Sequence, residues 1–176
     1  MEALLPETLA PVAPWVDAPP EVPAPALATA PARLIEFERG RHIALPVQAT
    51  LEVIDEPKIL PVPGAAYYGA GITKWQGRWL PVLDLHVLLN AFRKEFIAPT
   101  RYLLVLAYQS APRQPLRHGV LALPSLPLTV EIDDNAACAL PTDSDLWPLI
   151  ALSCFEHEGK AVPVVDPARL FERYQD

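Results

Sequence analysis

A thirteen-residue phrase occurs twice in this chain, 82 positions apart, and it constrains the fold more than any other feature of the sequence. The first copy runs from Gly77 to Leu89 and the second from Gly159 to Phe171. Both read Gly, a base, any residue, an aliphatic residue, Pro-Val, an aliphatic residue and Asp, and both continue after three residues with Leu and an apolar residue. Each copy predicts a turn, a buried strand, an acidic helix cap and a turn of amphipathic helix. A repeated set of elements indicates two related modules.

A looser echo precedes each copy of the phrase. Ala44-Leu45-Pro46 is followed by Glu52 and Ile54, and Ala122-Leu123-Pro124 is followed by Glu131 and Ile132. From residue 33 to residue 165 the chain mostly alternates short strand-like runs with turn residues. Beyond residue 32 only two stretches have a helical pattern, 85–92 and 167–174. This pattern predicts an all-β fold built from small barrels.

Composition excludes several classes of protein. The chain has 176 residues, of which 51% are apolar, and a net charge of −7. Its length suits one domain or two subdomains that share a core. An acidic chain is a poor candidate for binding a phosphate backbone, so we expect no nucleic-acid partner. The apolar runs are too short for a transmembrane helix, which predicts a cytoplasmic protein with no direct membrane insertion.

Residues 1–31 differ from the rest of the chain, because they contain eight prolines and eight alanines. Proline fixes φ and removes a backbone donor, so this segment is predicted to be a disordered, polyproline-like tail. Trp15 allows two interpretations: an incidental residue of a linker, or the anchor of a short docking motif.

The aspartates of the two phrases, Asp84 and Asp166, invite comparison with a catalytic pair. Asp166 precedes Pro167, however, which is the favoured order at the start of a helix, and Asp84 also precedes a helical pattern. We therefore predict that both aspartates cap helices. The residues predicted to be structural are Gly77, Pro81, Asp84, Gly159, Pro163 and Asp166.

No other residues form a recognisable catalytic or cofactor site in the sequence. Cys138 and Cys154 fit no metal-ligand spacing, so no metal is expected. Buried free thiols are the expected state of these cysteines in a reducing compartment, and a structural disulfide remains the alternative. The sequence contains neither a phosphate-binding loop nor a dinucleotide fingerprint, so no cofactor is expected and no enzyme is indicated.

Aromatic and aliphatic residues are concentrated between positions 59 and 79, interleaved with Pro and Gly. Tyr67, Tyr68, Trp75 and Trp79 belong to this set. They are too many for one face of a small barrel, which favours an exposed protein-binding patch. The alternative is that all of them lie in the core.

In an ordered set of phrases the sequence resembles the CheW-like domain, the adapter module of bacterial chemosensory systems. These phrases are Leu34–Val47, Ile59–Pro63, Tyr68–Ile72, Gly77–Leu85, His118–Leu121 and Val162–Asp166. The resemblance implies two small, five-stranded, SH3-like barrels packed together, with a short helix after each Pro-Val-x-Asp strand. It places the first barrel at about 46–98, and the second at about 99–166 together with the hairpin 33–45. The closing helix is expected at 167–174, within a domain of residues 32–176.

The resemblance also implies a non-enzymatic adapter that couples methyl-accepting chemoreceptors to the regulatory domain of a CheA-type histidine kinase, at receptor arrays near the membrane or cell pole. Other CheW-like proteins are further candidate partners. One partner would dock on the first barrel, and the helical receptor tip would lie in an apolar groove between the barrels. The residues expected to bind partners are Ile54, Val62, Tyr67, Tyr68, Ile72, Lys74, Trp75, Gln76 and Arg78.

The sequence departs from the family at two places. Lys74-Trp75-Gln76-Gly77 stands where the family usually has Asn-Leu-Arg-Gly, and Gln76 cannot make the bidentate ionic contact of an arginine. The customary Asp after the Gly-Val-Leu strand is replaced within Leu123-Pro-Ser125. These departures favour a specialised pathway, such as one that serves a type IV pilus. Two alternatives remain: a localisation factor recruited through the proline-rich tail, and an aspartyl enzyme, which requires Asp84 and Asp166 to face each other.

Overall fold

The computed structural model describes residues 29–90 and 99–172, which form ten strands and three short helices. The strands are β1 (Thr29–Glu38), β2 (Arg41–Pro46), β3 (Thr50–Asp55), β4 (Gly69–Trp75), β5 (Arg78–Asp84), β6 (Tyr102–Tyr108), β7 (Arg117–Leu123), β8 (Leu128–Asp133), β9 (Ala151–His157) and β10 (Lys160–Val165). The helices are α1 (Leu85–Leu89), α2 (Trp147–Ile150) and α3 (Pro167–Glu172).

The strands form two five-stranded sheets. One has the order β3-β6-β7-β5-β4 and is called the first barrel below; the other, β8-β1-β2-β10-β9, is called the second barrel. All neighbouring strands are antiparallel except two pairs, β5 with β7 and β10 with β2. The all-β, two-subdomain SH3-like architecture predicted from the sequence is confirmed.

The boundary predicted between the barrels, near residue 98, is wrong. Strands β6 and β7 lie in the first barrel, so this barrel extends from residue 50 to 123. Val82 on β5 pairs with Val120 on β7, and Val53 on β3 pairs with Leu104 on β6. Such pairings join residues far apart in sequence, and hydrophobic periodicity predicts strands without predicting which strands pair.

The two barrels are equivalent strand by strand. Strands β3, β4, β5, β6 and β7 of the first barrel correspond to β8, β9, β10, β1 and β2 of the second. The hairpin registers agree as well: Ile72 pairs with Pro81 in the first barrel, and Cys154 pairs with Pro163 in the second. The second barrel therefore takes its last two strands from the start of the chain, which links both ends of the domain into one sheet.

The repeated phrase builds the same two features in both barrels. Gln76-Gly77 and Glu158-Gly159 are two-residue hairpin turns with positive φ at both positions, the geometry that matches the twist of the flanking strands. The carboxylate of Asp84 accepts a hydrogen bond from Val87 N (3.1 Å), and that of Asp166 accepts one from Ala168 N (2.9 Å).

Both aspartates are therefore helix caps, as predicted. Their carboxylates are engaged with backbone N–H groups at two separate helix starts, which argues against an aspartyl enzyme.

Three apolar clusters hold the domain together, and the largest lies between the barrels. The interior of the first barrel contains residues such as Leu103 and Val105, and that of the second contains residues such as Leu34 and Val162. Alternate residues of the same strands point to the shared cluster, which also takes in all three helices. Because this cluster joins both barrels, they form one folding unit.

The predicted ends of several elements need correction. The proline-rich tail was predicted to include residues 29–31, but these begin β1, where Pro31 pairs with Glu131 on β8. The pairing of β1 with β2 starts only at Ala32, so Pro31 has no neighbour on that side that requires its N–H. Trp15 and the rest of the tail lie outside the described residues.

The first helix is shorter than predicted: α1 ends at Leu89, since Asn90 has left the helical conformation. The structure describes α3 from Pro167 to Glu172, and residues 91–98 and 173–176 lie outside the described residues. The strand predicted at 149–155 begins only at Ala151, because residues 147–150 form the helical turn α2. Pro148 lies in the first turn of this helix, where proline is favoured.

Candidate functional site

An apolar groove opens between the first barrel and α3. It has a volume of about 250 Å³ and is bounded by the segment that precedes β4, by the β4–β5 hairpin and by α3. Its lining residues are Val62, Ala65, Ala66, Tyr68, Gly69, Gly71, Ile72, Pro81, Val82, Leu83, Leu170 and Phe171. This surface, called the α3 groove below, has the apolar character that suits the apolar face of an amphipathic helix.

The equivalent space in the second barrel is filled. Tyr68 O accepts a hydrogen bond from Asp84 N (2.9 Å), and in the second barrel Ile150 O accepts one from Asp166 N at the same distance. This match aligns Tyr68 with Ile150, and three residues earlier in each barrel it aligns Ala65 with Trp147. Trp147 and Ile150 are fully buried, whereas Ala65 is exposed and Tyr68 half-buried. The α3 groove thus exists where the first barrel has alanine in place of the buried indole.

Trp147 is held in place by two direct contacts, and Arg41 supports both of its partners. Its Nε1 donates to the Asp143 carboxylate (2.8 Å), and its ring packs edge-on against Phe37 at 6.0 Å between centroids. Asp143 also pairs with Arg41, whose guanidinium lies over the Phe37 ring. These contacts fix the segment before β9 firmly against the shared core.

The segment before β4 is fixed by a backbone bridge. Leu60 N donates to Ile72 O (2.8 Å), and Ile72 N donates to Leu60 O (2.9 Å). Gly71 makes this close approach possible, because its φ is +136° and a Cβ there would overlap the Leu60 carbonyl. The bridge leaves the side chain of Leu60 half exposed and holds Val62 at the edge of the groove.

The far wall of the groove is α3, which is anchored on the first barrel. Phe171 stacks on Tyr108 with 5.5 Å between ring centroids, and a Cβ at Gly119 would overlap the Phe171 ring. Glu172 forms an ion pair with Arg117 at 3.5 Å. Burial raises the pKa of Tyr108, so its phenol stays neutral at physiological pH and presents no charge beneath the groove.

A second depression lies on the outer face of the first barrel. It has a volume of about 420 Å³ and is lined by Ile54, Glu56, Lys58, Leu60, Thr73, Lys74 and Trp79. Trp79 is 54% exposed, so a large apolar ring stands at the rim of this surface, beside the two lysines. We call it the outer pocket.

Five of the nine residues predicted to bind partners line one of these two surfaces. Val62, Tyr68 and Ile72 line the α3 groove, and Ile54 and Lys74 line the outer pocket. The other four line neither surface.

Of these four, Tyr67 is 62% exposed beside Tyr68, and Gln76 and Arg78 lie at the exposed end of the β4–β5 hairpin. Trp75 is half-buried against the interior of the first barrel, and its Nε1 donates to Glu52 (2.7 Å). Its ring also lies 5.2 Å from that of His118. Trp75 therefore closes the barrel in this structure, with its indole N–H already bonded.

Sequence reasoning missed the whole α3 wall of the groove, which consists of Leu170 and Phe171. Both belong to the repeated phrase, where their apolar character was interpreted as the core face of a helix. Both do enter the shared core, and each also lines the groove. In the first copy of the phrase the same positions hold Leu88 and Leu89, which are also apolar, so the sequence carries no signal that separates Leu170 and Phe171 from ordinary core residues.

The described residues contain no group of three or more His, Cys, Asp or Glu side chains that could hold a metal ion. Within the same residues, no helix combines the length and apolarity needed to cross a bilayer. What the two surfaces offer is apolar area with a few lysine and tyrosine groups at the rim, which suits the binding of protein surfaces.

Comparison with known proteins agrees with this architecture. A family model described as the CheW-like domain matches residues 36–123. The fold is similar to the crystal structure of the scaffolding protein TtCheW from Thermoanaerobacter tengcongensis, with a TM-score of 0.65 at 15% sequence identity. The similarity covers 82% of this chain and 94% of that one. No curated protein matches the sequence closely enough to be named as a relative.

Proposed function

This chain belongs to the CheW-like domain family, and we propose that it is a non-enzymatic adapter that couples chemoreceptors to a CheA-type histidine kinase in a bacterial chemosensory pathway. The observation that carries the proposal is the α3 groove, an apolar opening that the otherwise equivalent second barrel fills with Trp147 and Ile150. Keeping such a groove open leaves apolar area in water, and a partner that covers it would offset that cost.

The groove fits the cytoplasmic tip of a receptor. Apolar side chains line the groove from two elements, Val62 and Ile72 from the β4 side and Leu170 and Phe171 from α3, which suits the apolar face of a helix. A helical hairpin would present such a face, with anchor residues spaced three and four apart. Binding of this kind involves no covalent step.

The kinase regulatory domain is proposed to dock on the outer pocket. Trp79 offers an exposed aromatic anchor, and Lys58 and Lys74 line the same depression. Tryptophan is among the residue types that most often dominate the binding energy near the centre of a protein interface. The two partners would then occupy different faces of the first barrel and bind at the same time. The adapter would work in the cytoplasm, at membrane-associated receptor arrays.

Gln76 is proposed to make this adapter selective. It lies at the tip of the β4–β5 hairpin with a φ of +44°, where the family usually has arginine. An amide forms neutral hydrogen bonds in place of the arginine fork, so a kinase surface with a carboxylate at this contact would bind less tightly. This supports a cognate kinase outside the standard array, such as that of a pilus pathway.

The receptor half of the proposal is tested by filling the groove. Ala65→Trp places in the first barrel the indole that the second barrel has, and Ile72→Ala removes apolar area from the same groove. Binding of a receptor-tip fragment is measured by calorimetry. We expect a loss of at least about tenfold in affinity for each variant, which corresponds to about 1.4 kcal/mol. Leu128→Ala, a large exposed residue of the second barrel, is the matched control and should bind normally.

The kinase half is tested by Trp79→Ala in binding to the regulatory domain of the kinase. Truncation of an aromatic anchor is expected to weaken the complex by about 30-fold, since it costs about 2 kcal/mol. Ile72→Ala should leave this binding unchanged. If the wild-type chain associates with neither a receptor tip nor a kinase regulatory domain from its own genome, the adapter proposal is wrong.

A further inference from the structure

The two cysteines of the chain lie side by side in the second barrel. Cys154 is buried on β9, and Cys138 lies half-buried in the segment between β8 and α2. Their sulfur atoms are 3.4 Å apart, and Cys138 N donates to Cys154 O (3.0 Å). Residues Ala137 and Phe155 form an antiparallel bridge next to them, so Cys138 stands directly opposite Cys154.

This arrangement suits a disulfide without a rearrangement of the backbone. Directly opposed residues of an antiparallel hydrogen-bonded pair have Cα atoms about 5.5 Å apart, and disulfides span Cα distances of about 4.4–6.8 Å. Both side chains already point to the same side, because their sulfur atoms are in contact. Only the side chains must move to bring the sulfurs within bonding distance.

The first barrel has an apolar pair at the equivalent place. Leu60 and Ile72 form the bridge between the segment before β4 and that strand, and Ile72 aligns with Cys154 through the hairpin register. Cys138 aligns with Leu60, since each donates its N–H to the opposed strand residue. The second barrel thus uses two thiols at the bridge where the first barrel uses two aliphatic residues.

We infer that Cys138 and Cys154 are an oxidation site, which closes to an intrachain disulfide by exchange with a small disulfide of the glutathione type. The Cys138 thiolate attacks one sulfur of the small disulfide and releases one thiol. Cys154 then attacks the Cys138 sulfur of the mixed disulfide and releases the second thiol. Two protein thiols are oxidised, and one small disulfide is reduced to two thiols.

The order of the two steps follows from the surroundings of each sulfur. Burial, together with the neighbouring Cys138, raises the pKa of Cys154 to about 12, so this thiol is not a competent first nucleophile at neutral pH. Cys138 is the more accessible of the two. Cys154 reacts second, when the mixed disulfide is already in contact with it.

The disulfide would fasten the segment before β9 to the edge of the sheet. That segment continues to Asp143, which is bonded to Arg41 and Trp147, so its far end is already tied to the shared core. A covalent bond at Cys138 would close a loop of about 16 residues, which restricts the unfolded chain. We expect the oxidised protein to melt about 6–12 °C above the reduced one.

The test uses the full chain, reduced and then equilibrated in mixtures of reduced and oxidised glutathione. Free thiols are alkylated after acid quenching, and intact masses are recorded. The wild-type chain should lose both alkylation sites and two hydrogens, carry no glutathione and remain monomeric on a non-reducing gel. Cys154→Ser should stop at the mixed disulfide and retain one glutathione on Cys138. In the Cys138→Ser variant the remaining thiol, that of Cys154, should stay unmodified.

Two results would overturn the inference: full alkylation of both cysteines in the most oxidising mixture, or a disulfide that forms only between chains. If the oxidised chain has the intrachain disulfide but does not melt at a higher temperature, the claim that the bond stabilises the segment before β9 is wrong. Because thiol state is read by mass, the test holds even where a serine variant is less stable than the wild type.

Discussion

The two barrels have the same strand order and hairpin register, but they treat the space in front of the Pro-Val strand differently. In the second barrel, α2 inserts Trp147 and Ile150 into the shared core. In the first barrel, the same backbone positions carry Ala65 and Tyr68, and the α3 groove opens there. One duplicated frame therefore gives a second barrel in which this space is filled by buried side chains and a first barrel in which it stays open as a groove.

Exposed apolar residues follow the same division. The segment from β3 to β5 of the first barrel exposes Leu51, Val53, Leu60, Val62, Tyr67 and Trp79. The corresponding stretch of the second barrel exposes Leu128, Leu149 and Leu152. Position 79 shows the contrast most directly, since the repeated phrase has Trp79 in one copy and Ala161 in the other. Residues shared by the copies build the frame, and residues that differ between them mark the surfaces.

The largest loss of stability is expected when the buried indole is removed from the second barrel. Trp147→Ala would leave a cavity in the largest apolar cluster and deprive Asp143 of a hydrogen-bond donor. We expect the free energy of unfolding to fall by about 3–5 kcal/mol, measured by urea denaturation. Leu149→Ala, in the same helical turn but exposed, should cost less than about 1 kcal/mol. Equal losses for the two variants would show that the second barrel does not depend on a filled core at this site.

The next largest loss of stability is expected at the backbone bridge between Leu60 and Ile72 in the first barrel. Gly71→Ala would force a Cβ against the Leu60 carbonyl at a φ of +136°, a conformation that alanine rarely adopts. We expect a loss of about 1–3 kcal/mol in unfolding free energy, with displacement of the 56–68 segment. The aligned residue of the second barrel, Ser153, is exposed, and Ser153→Ala should change stability by less than about 0.5 kcal/mol. A tolerated alanine at 71 would mean that the segment before β4 is not held by this bridge.

The frame of each barrel was predictable because short-range signals determine it. The hairpin glycines, the helix-capping aspartates and the buried Pro-Val strands all depend on residues within a few positions of one another. The assignment of β6 and β7 to a barrel was not predictable in this way. It depends on β5 pairing in parallel with β7 across more than thirty residues, and strand pattern alone does not determine the partner of a strand.

The candidate site was predicted only in part for a related reason. Val62, Tyr68 and Ile72 were identified as an apolar excess, and they do line the α3 groove. The same excess included Trp75, which is half-buried in the first barrel. Composition counts apolar residues, but it does not say which of them the fold covers. The opposite wall, Leu170 and Phe171, comes from the other end of the chain, so only the tertiary structure brings it to the site.

The two helix caps test whether the barrels are equivalent in energy as well as in geometry. Asp84→Ala and Asp166→Ala each remove one acceptor from a free N–H group at a helix start. Each is expected to lower the free energy of unfolding by about 1 kcal/mol, and Asp→Asn at either position should recover most of the loss, because asparagine also caps helices. The ion pair of Asp166 with Arg169 is long, at 3.6 Å, and partly exposed, so it should add little. A large loss at one site alone would break the equivalence.

The smallest effect on stability is expected at Trp79, the residue that most distinguishes the two copies of the phrase. Its ring is more than half exposed, so Trp79→Ala should change the free energy of unfolding by less than about 0.5 kcal/mol while it weakens kinase binding. Trp75→Ala is the matched contrast, since it removes an indole that packs in the barrel interior and bonds to Glu52. That variant should lose more than about 1 kcal/mol. If urea denaturation shows a larger loss for Trp79→Ala than for Trp75→Ala, the Trp79 ring contributes to the core of the first barrel and is not a free anchor in the outer pocket.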